Sequence, residues 1–95
     1  MQSARFTTSK NSKVSTLAGA IAGRARDGVG ALVEAIGDEA VATAAMAMAK
    51  ARIFLEDDRL DLRFVTKLED IEKNGADGVT RTLTTFRLRA YLEDV

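Results

Sequence analysis

A chain of 95 residues has room for one domain, expected to span residues 1–95, and it buries roughly 60–65% of the surface that its unfolded form exposes. Its composition, 46% hydrophobic and 29% charged, is that of a globular protein and excludes a disordered tail. Fourteen basic residues balance fourteen acidic ones, and the absence of cysteine and histidine excludes disulfides, the usual zinc sites and histidine-based catalysis. No apolar run is long enough to cross a bilayer and no signal peptide is evident, so a cytoplasmic protein is expected.

The first predicted elements are a strand, a polar loop and a helix. Residues alternate over Ala4–Thr8 in the way typical of a strand, and Ser9–Lys13 has the composition of a polar loop. Either Ser15 or Thr16 is placed to cap a helix, which we expect over Leu17–Arg26.

The next elements are a second strand and a long helix. The apolar run Ala31–Ile36 predicts a central strand, after which Asp38 is expected to cap a helix that reaches Phe54. That helix holds seven alanines between Ala40 and Ala51, and its polar residues form only a narrow stripe. A helix that is apolar on more than one face is buried on more than one face. We therefore expect a second subunit to cover it, and an alanine-rich surface left in solvent is the alternative.

Two long strands joined by a hairpin complete the predicted fold. Apolar residues alternate with polar ones over Leu60–Glu69 and again over Phe86–Glu93, and Lys73–Gly78 supplies the turn. The order β-α-β-α-β-β predicts a two-layer α+β domain with two helices on one face of a mixed four-stranded sheet. The open face is expected to carry charges that neutralise each other, namely Arg63, Lys67, Arg87 and Arg89 with Asp61, Glu69 and Glu93.

Several residues that carry chemistry in other proteins favour structural roles here. Gly19 and Gly23 cost the first helix about 1 kcal/mol each relative to alanine, so we expect them to mark close packing of that helix. The acidic run Glu56–Asp58 is expected to be a solvated turn rather than a cation site. The serines have no histidine or positioned lysine to activate them. We therefore expect no enzyme activity, metal, cofactor or small-molecule substrate.

The loop after the first strand is the remaining candidate for binding. Ser9–Lys13 combines short hydroxyl groups, the amide of Asn11 and the amines of Lys10 and Lys13 just before a helix N-terminus. Phosphate groups bind readily in such a setting. A plain polar turn is the alternative, since no aromatic residue is interleaved for base stacking.

Three stretches of the chain resemble one protein family. They are Val14–Gly23, with the sequence VSTLAGAIAG, Val33–Gly37, with the sequence VEAIG, and the alanine-rich stretch Ala40–Arg52. These stretches resemble the stage V sporulation protein S family, and the likeness covers most of residues 5–93. The resemblance implies an Alba-like fold, a dimer, and a small cytoplasmic regulator or nucleic-acid-binding protein linked to sporulation or cell development.

The likeness to Alba proteins also implies a set of binding residues. Alba proteins contact DNA or RNA through lysines in the loop after the first strand and through basic hairpin arms. The positions that this implies here are Arg5, Lys10, Asn11, Lys13, Lys67, Lys73 and Arg81. The dimer contact is expected on the second helix and the hairpin strands, at Met46, Ile53, Phe54, Phe86 and Leu88.

Two functions stay open at this point. In the first, which we favour, a homodimer binds the phosphate backbone of DNA or RNA with low sequence specificity. In the second, the chain is a self-assembling structural or protein-interaction module, and the loop lysines are merely solvated.

Overall fold

The computed structural model describes residues 3–94, which form four strands and two long helices. The elements follow in the predicted order: β1 (Ser3–Thr8), α1 (Val14–Arg26), β2 (Gly30–Ala35), α2 (Asp38–Phe54), a short 3-10 turn (Glu56–Asp58), β3 (Leu60–Asn74) and β4 (Thr80–Asp94). The strands form one sheet in the order β1-β2-β4-β3, in which β1 and β2 are parallel and the other neighbours antiparallel. The predicted α+β architecture, a mixed sheet with both helices on one face, is confirmed.

Small side chains bring the two helices close to each other and to the sheet. Alanine fills most positions where the layers meet, and these residues are at most 2% exposed: Ala18, Ala22 and Ala25 of α1, Ala44, Ala47 and Ala51 of α2, and Ala31, Ala35 and Ala90 of the sheet. The largest fully buried side chains of the core are those of Ile21, Val33, Met48 and Leu55. Because alanine adds little volume, the backbones approach closely, and the few large side chains fill the space that remains.

The starts of both helices differ from the prediction. α1 begins at Val14, so Ser15 and Thr16 lie inside its first turn, and the N-cap residue is Lys13, whose side chain makes no capping bond. α2 has Gly37 at its N-cap, with φ at 90°, and Asp38 is its first helical residue. A positive φ favours glycine, and this conformation redirects the chain from β2 into α2. Neither helix start therefore has the predicted side-chain cap.

The expectation of close packing at Gly19 and Gly23 is wrong. Gly19 is exposed and Gly23 half-buried, and a Cβ atom built on either would have no heavy atom of another part of the structure within 4 Å. The buried residues of α1 in the core are Ala18, Ile21, Ala22 and Ala25. The two glycines therefore lie toward the outer side of α1, where a methyl group has room.

Gly19→Ala and Gly23→Ala are each expected to raise the free energy of unfolding by about 0.5–1 kcal/mol, because alanine restricts the unfolded chain and favours the helix. Thermal unfolding measures the gain, at about 4–8 °C per kcal/mol for a chain of this size. Gly37→Ala is the matched control, and we expect it to lower stability because its φ of 90° strains any side chain. A loss of stability in Gly19→Ala or Gly23→Ala would contradict the open space seen at these positions.

Candidate nucleic-acid interface

The loop between β1 and α1 is a compact turn held by its own serines. The Ser9 backbone N–H donates to the Ser12 hydroxyl at 3.0 Å, and the Asn11 N–H donates to the Ser9 hydroxyl at 3.2 Å. Lys10 and Lys13 are exposed, and neither forms an ion pair within residues 3–94. The loop therefore presents two lysines from an ordered backbone.

The start of α1 has further features that suit a phosphate group. No side chain caps its first N–H groups, and its first turn holds no acidic residue. Lys50 reaches across from α2, and its Nζ donates to the Ser15 hydroxyl at 2.8 Å. The start of α2 differs, since Asp38 and Glu39 occupy its first turn. Uncapped N–H groups with lysines beside them attract anions, so α1 rather than α2 offers the anion-binding end.

β3 and β4 continue past the rest of the sheet as a two-stranded arm, residues 69–74 and 80–85. β2 ends at Ala35, opposite Phe86, but β3 and β4 stay paired for six more residue pairs. At about 3.3 Å per residue, the arm is roughly 20 Å long. Apolar alternation alone predicted strands that end at Glu69 and begin again at Phe86, whereas the resemblance to Alba proteins implied the arm.

The loop and the arm lie at the same end of the sheet. β1 runs parallel to β2, and the loop follows the carboxyl end of β1, while the arm extends past the carboxyl end of β2. Only β2 separates β1 from β4, so the base of the arm is about 10 Å from the end of β1. Two segments that lie more than fifty residues apart in the sequence are thus brought to one end of the molecule.

Charge is unevenly distributed on the open side of the strands, which faces away from the helices. The strand pairings place seven basic residues there, namely Arg5, Arg63, Lys67, Lys73, Arg81, Arg87 and Arg89. They place Glu34, Glu69 and Glu93 on the same side, whereas the carboxylate of Asp61 binds Arg52 of α2. The expected neutralisation is met in part, because these three acids pair with Arg5, Arg63 and Arg87, and Lys67, Lys73 and Arg89 are left without an ion pair in the described residues.

An ion-pair row crosses the open face and uses one residue from each strand. Arg5 Nη2 lies 3.0 Å from Glu34 Oε1, and Arg87 Nε lies 3.2 Å from Glu34 Oε2. Arg87 also pairs with Glu69 through Nη1. We call Arg5, Glu34, Arg87 and Glu69 the ion-pair row. It neutralises the centre of the face and leaves the basic residues on either side of it.

The seven predicted nucleic-acid residues fall into two groups. Lys10, Asn11 and Lys13 lie together in the loop, whereas Arg5, Lys67, Lys73 and Arg81 lie on the open side of the sheet and arm. Arg5 belongs to the ion-pair row, and Arg81 Nη2 binds Asp77 Oδ2 at 2.8 Å at the tip of the arm. Lys67 and Lys73 are exposed. The structure therefore does not bring all seven residues into one patch.

The arm has an acidic side that opposes nucleic acid. Asp70 and Glu72 lie on the side that continues the helix-covered face, and Asp70 Oδ1 accepts a hydrogen bond from the Thr84 hydroxyl at 2.8 Å. Lys73 and Arg81 lie on the other side, directly opposite each other. The arm thus has one side suited to phosphate and one side that repels it.

The residues predicted at the subunit contact are split between surface and core. Met46 and Ile53 of α2 are both 62% exposed, and Phe54 beside them is 37% exposed. Phe86 is half-buried at the base of the arm, and Leu88 is 4% exposed in the core of the single chain. Leu88 therefore has no surface to offer a partner, whereas the exposed side of α2 does.

A hollow at the carboxyl end of α2 adjoins this surface. It has a volume of about 510 Å³ and is lined by Ala49, Ile53 and Leu60 and by four charged residues, Arg52, Glu56, Arg59 and Asp61. Arg52 and Asp61 close one side through a bidentate pair, with Nε–Oδ1 and Nη2–Oδ2 distances of 2.7 and 2.9 Å. The hydrogen bonds from Arg52 and from the Leu62 N–H hold the pKa of Asp61 below its ordinary value.

Asp61→Asn is expected to lower stability at pH 7 and to have no effect at strongly acid pH. A lowered pKa in the folded state means that the carboxylate stabilises the fold above its unfolded pKa of about 3.9. That contribution to the free energy of unfolding is lost as the pH falls through the pKa of Asp61 in the folded protein. Urea unfolding of the parent and the variant at pH 7, 5 and 3 measures the difference, with the exposed Asp57→Asn as control. A difference that persists undiminished at the lowest pH would contradict this assignment.

Within the described range, residues 3–94, no cluster of acidic side chains is arranged to hold a metal ion. Over that same part of the chain, no helix has the length and apolar character needed to cross a membrane.

Comparisons with known proteins agree with this architecture. Alba from Thermoplasma volcanium superposes with a TM-score of 0.71 over 93% of this chain and 99% of that one, at 10% sequence identity. At this identity the likeness shows the fold alone. A search of curated proteins found no match. The family profile described as Stage V sporulation protein S (SpoVS) matches residues 5–91. Because that match spans nearly the whole chain and the fold is Alba-like, the chain belongs to the stage V sporulation protein S family.

Proposed function

We propose that this protein is a non-enzymatic, cytoplasmic homodimer that binds the phosphate backbone of nucleic acid with low sequence specificity. The observation that carries the proposal is the common end of the sheet, where the ordered loop with Lys10 and Lys13 and the basic side of the arm both lie. The uncapped start of α1 supports it, since backbone N–H groups and lysines there bind phosphate oxygens rather than base edges.

A dimer doubles this surface. Two loops with two lysines each, together with a few residues of the arms, make on the order of four to eight phosphate contacts. Each contact releases counterions, so the logarithm of affinity is expected to fall with the logarithm of salt concentration with a slope of roughly −4 to −7. Acidic residues on the arm and the zero net charge keep this binding weak.

The test is a titration of labelled duplex DNA and of RNA at 50 and 200 mM salt. The parent protein is expected to bind and to lose affinity steeply at the higher salt, and Lys10→Glu/Lys13→Glu is expected to abolish binding without changing the mass of the assembly. The control is Arg24→Glu, which changes a charge at the opposite end of α1 and is expected to keep most of the affinity for nucleic acid.

The second candidate function is an assembly or protein-interaction module without nucleic acid. The specific observation in its favour is the exposed apolar side of α2, with Met46 and Ile53 in solvent. If neither polymer binds at 50 mM salt, or if Lys10→Glu/Lys13→Glu binds as well as the parent, the nucleic-acid proposal is wrong and the module is the function that remains.

A further inference from the structure

A hollow of about 280 Å³ on the open face lies apart from the loop and the arm. It is lined by Leu32 of β2, Val65 and Lys67 of β3, and Arg87, Arg89 and Tyr91 of β4. The geometry points to a binding site for a free mononucleotide, a ligand with one planar aromatic ring system and one phosphate group.

The basic residues supply the place for the phosphate. Lys67 lies directly opposite Arg87 in the strand pairing, and Arg89 is two residues along the same strand. Directly opposed like charges destabilise a strand pair, and their side chains lie about 5 Å apart. Arg87 is neutralised by Glu34 and Glu69, but Lys67 and Arg89 form no ion pair in the described part of the chain. Lys67 and Arg89 are diagonal neighbours on β3 and β4, so a phosphate seated between them contacts the two basic side chains that have no ion pair, and Arg89 is able to bind it in a bidentate manner.

The remaining lining residues supply an apolar floor and a ring to stack on. Leu32 and Val65 flank Arg89 on the two neighbouring strands. Tyr91, two residues beyond Arg89, is 37% exposed. On the β2 side of Tyr91, Gly30 precedes Ala31, which pairs with Ala90, so the neighbouring β2 position carries no side chain. On its β3 side Tyr91 lies opposite Arg63, whose guanidinium pairs with Glu93. The ring of Tyr91 is therefore open toward β2 beside an apolar floor, and a base stacks well on such a ring.

The spacing of these groups matches one nucleotide. Tyr91 and Arg89 lie about 7 Å apart along the strand, and Lys67, opposite Arg87, lies two residue pairs beyond Arg89. A single sugar separates the ring of the ligand from its phosphate, so Tyr91 contacts the ring while Arg89 contacts the phosphate. The volume of the hollow, about 280 Å³, is of the size of one such ligand.

Adenosine 5′-monophosphate, titrated into the full chain at low salt, tests the site. The chain has one tyrosine, so the NMR signals of its ring report on this hollow alone. We expect saturable shifts of the Tyr91 ring signals. Adenosine and ribose 5-phosphate, each lacking one half of the ligand, are expected to bind at least about tenfold more weakly.

Variants distinguish this site from the nucleic-acid interface. Arg89→Ala is expected to weaken nucleotide binding about tenfold, with folding checked by circular dichroism. Lys10→Glu/Lys13→Glu is expected to bind the nucleotide as the parent does, whatever its effect on DNA or RNA. The proposal is overturned if Tyr91 signals do not move, if Arg89→Ala binds normally, or if ribose 5-phosphate binds as tightly as the nucleotide. It is also overturned if a short single-stranded oligonucleotide binds this face more tightly than the nucleotide, since the site then belongs to a polymer.

Discussion

Ile53→Asp is expected to be a monomer under conditions in which the parent protein is a dimer. Ile53 lies on the exposed apolar side of α2, at the edge of the hollow that ends at Leu60. Moving a carboxylate from water into a subunit contact costs about 3 kcal/mol or more, which raises the dissociation constant of the dimer more than about 100-fold. Arg59 lines the same hollow, so a second variant farther from it is needed. Light scattering at micromolar concentration measures the mass of both proteins.

Two further variants test the same subunit contact. Met46→Glu places an acid in the middle of the same surface and is expected to give the same result. Val79→Asp changes an apolar residue of similar exposure next to the tip of the arm, and we expect it to remain a dimer. A parent protein with the mass of one chain, or an Ile53→Asp protein with the mass of two, would overturn the proposed subunit contact.

Ala22→Leu is expected to lower the free energy of unfolding by about 1–3 kcal/mol, or about 4–8 °C in Tm for each kcal/mol. Ala22 has no exposed surface and lies in the core that α1 forms with α2 and the sheet. Three added carbon atoms have no space there, so either the helices move apart or the side chain takes a strained rotamer.

Ala20→Leu is the matched control for this variant. Ala20 lies on the same helix but faces solvent, so the same change is expected to alter stability by no more than about 0.5 kcal/mol. Thermal and urea unfolding of both proteins measure the difference. Equal effects of the two substitutions would mean that helix propensity rather than packing determines the result, contrary to the buried alanines described above.

Strands with a strict apolar period could be predicted from the residues themselves, whereas the arm was expected only from the resemblance to Alba proteins. Over Leu60–Phe64 and Phe86–Leu92, every second residue faces the core, so the alternation is visible in the sequence. Leu68 continues the alternation but is 65% exposed, and beyond it the strands are held by each other rather than by burial. Asp70 bonds to Thr84 and Asn74 to Thr80, and such cross-strand bonds leave no periodic signal.

Only the part of the candidate site that is formed by residues close together in the sequence could be predicted. Lys10 and Lys13 are close in sequence and belong to one polar loop, so their position after β1 was foreseeable. Lys50 was missed because it meets Ser15 through the packing of two helices, 35 residues apart. The hollow beside Tyr91 was also missed, since it depends on which residues of three strands lie opposite each other. Sequence periodicity gives the face of a residue but not its neighbours across the sheet.

The ion-pair row also bears on how the strands align. Apolar alternation excludes a slip of one residue between β2 and β4, because every side chain would change face, but it permits a slip of two. A slip of two residues in one direction places Thr85 opposite Glu34, so the carboxylate of Glu34 loses its guanidinium partner on β4 and Arg87 keeps only Glu69. The row therefore disfavours a shifted alignment that the hydrophobic pattern leaves equivalent to the native one.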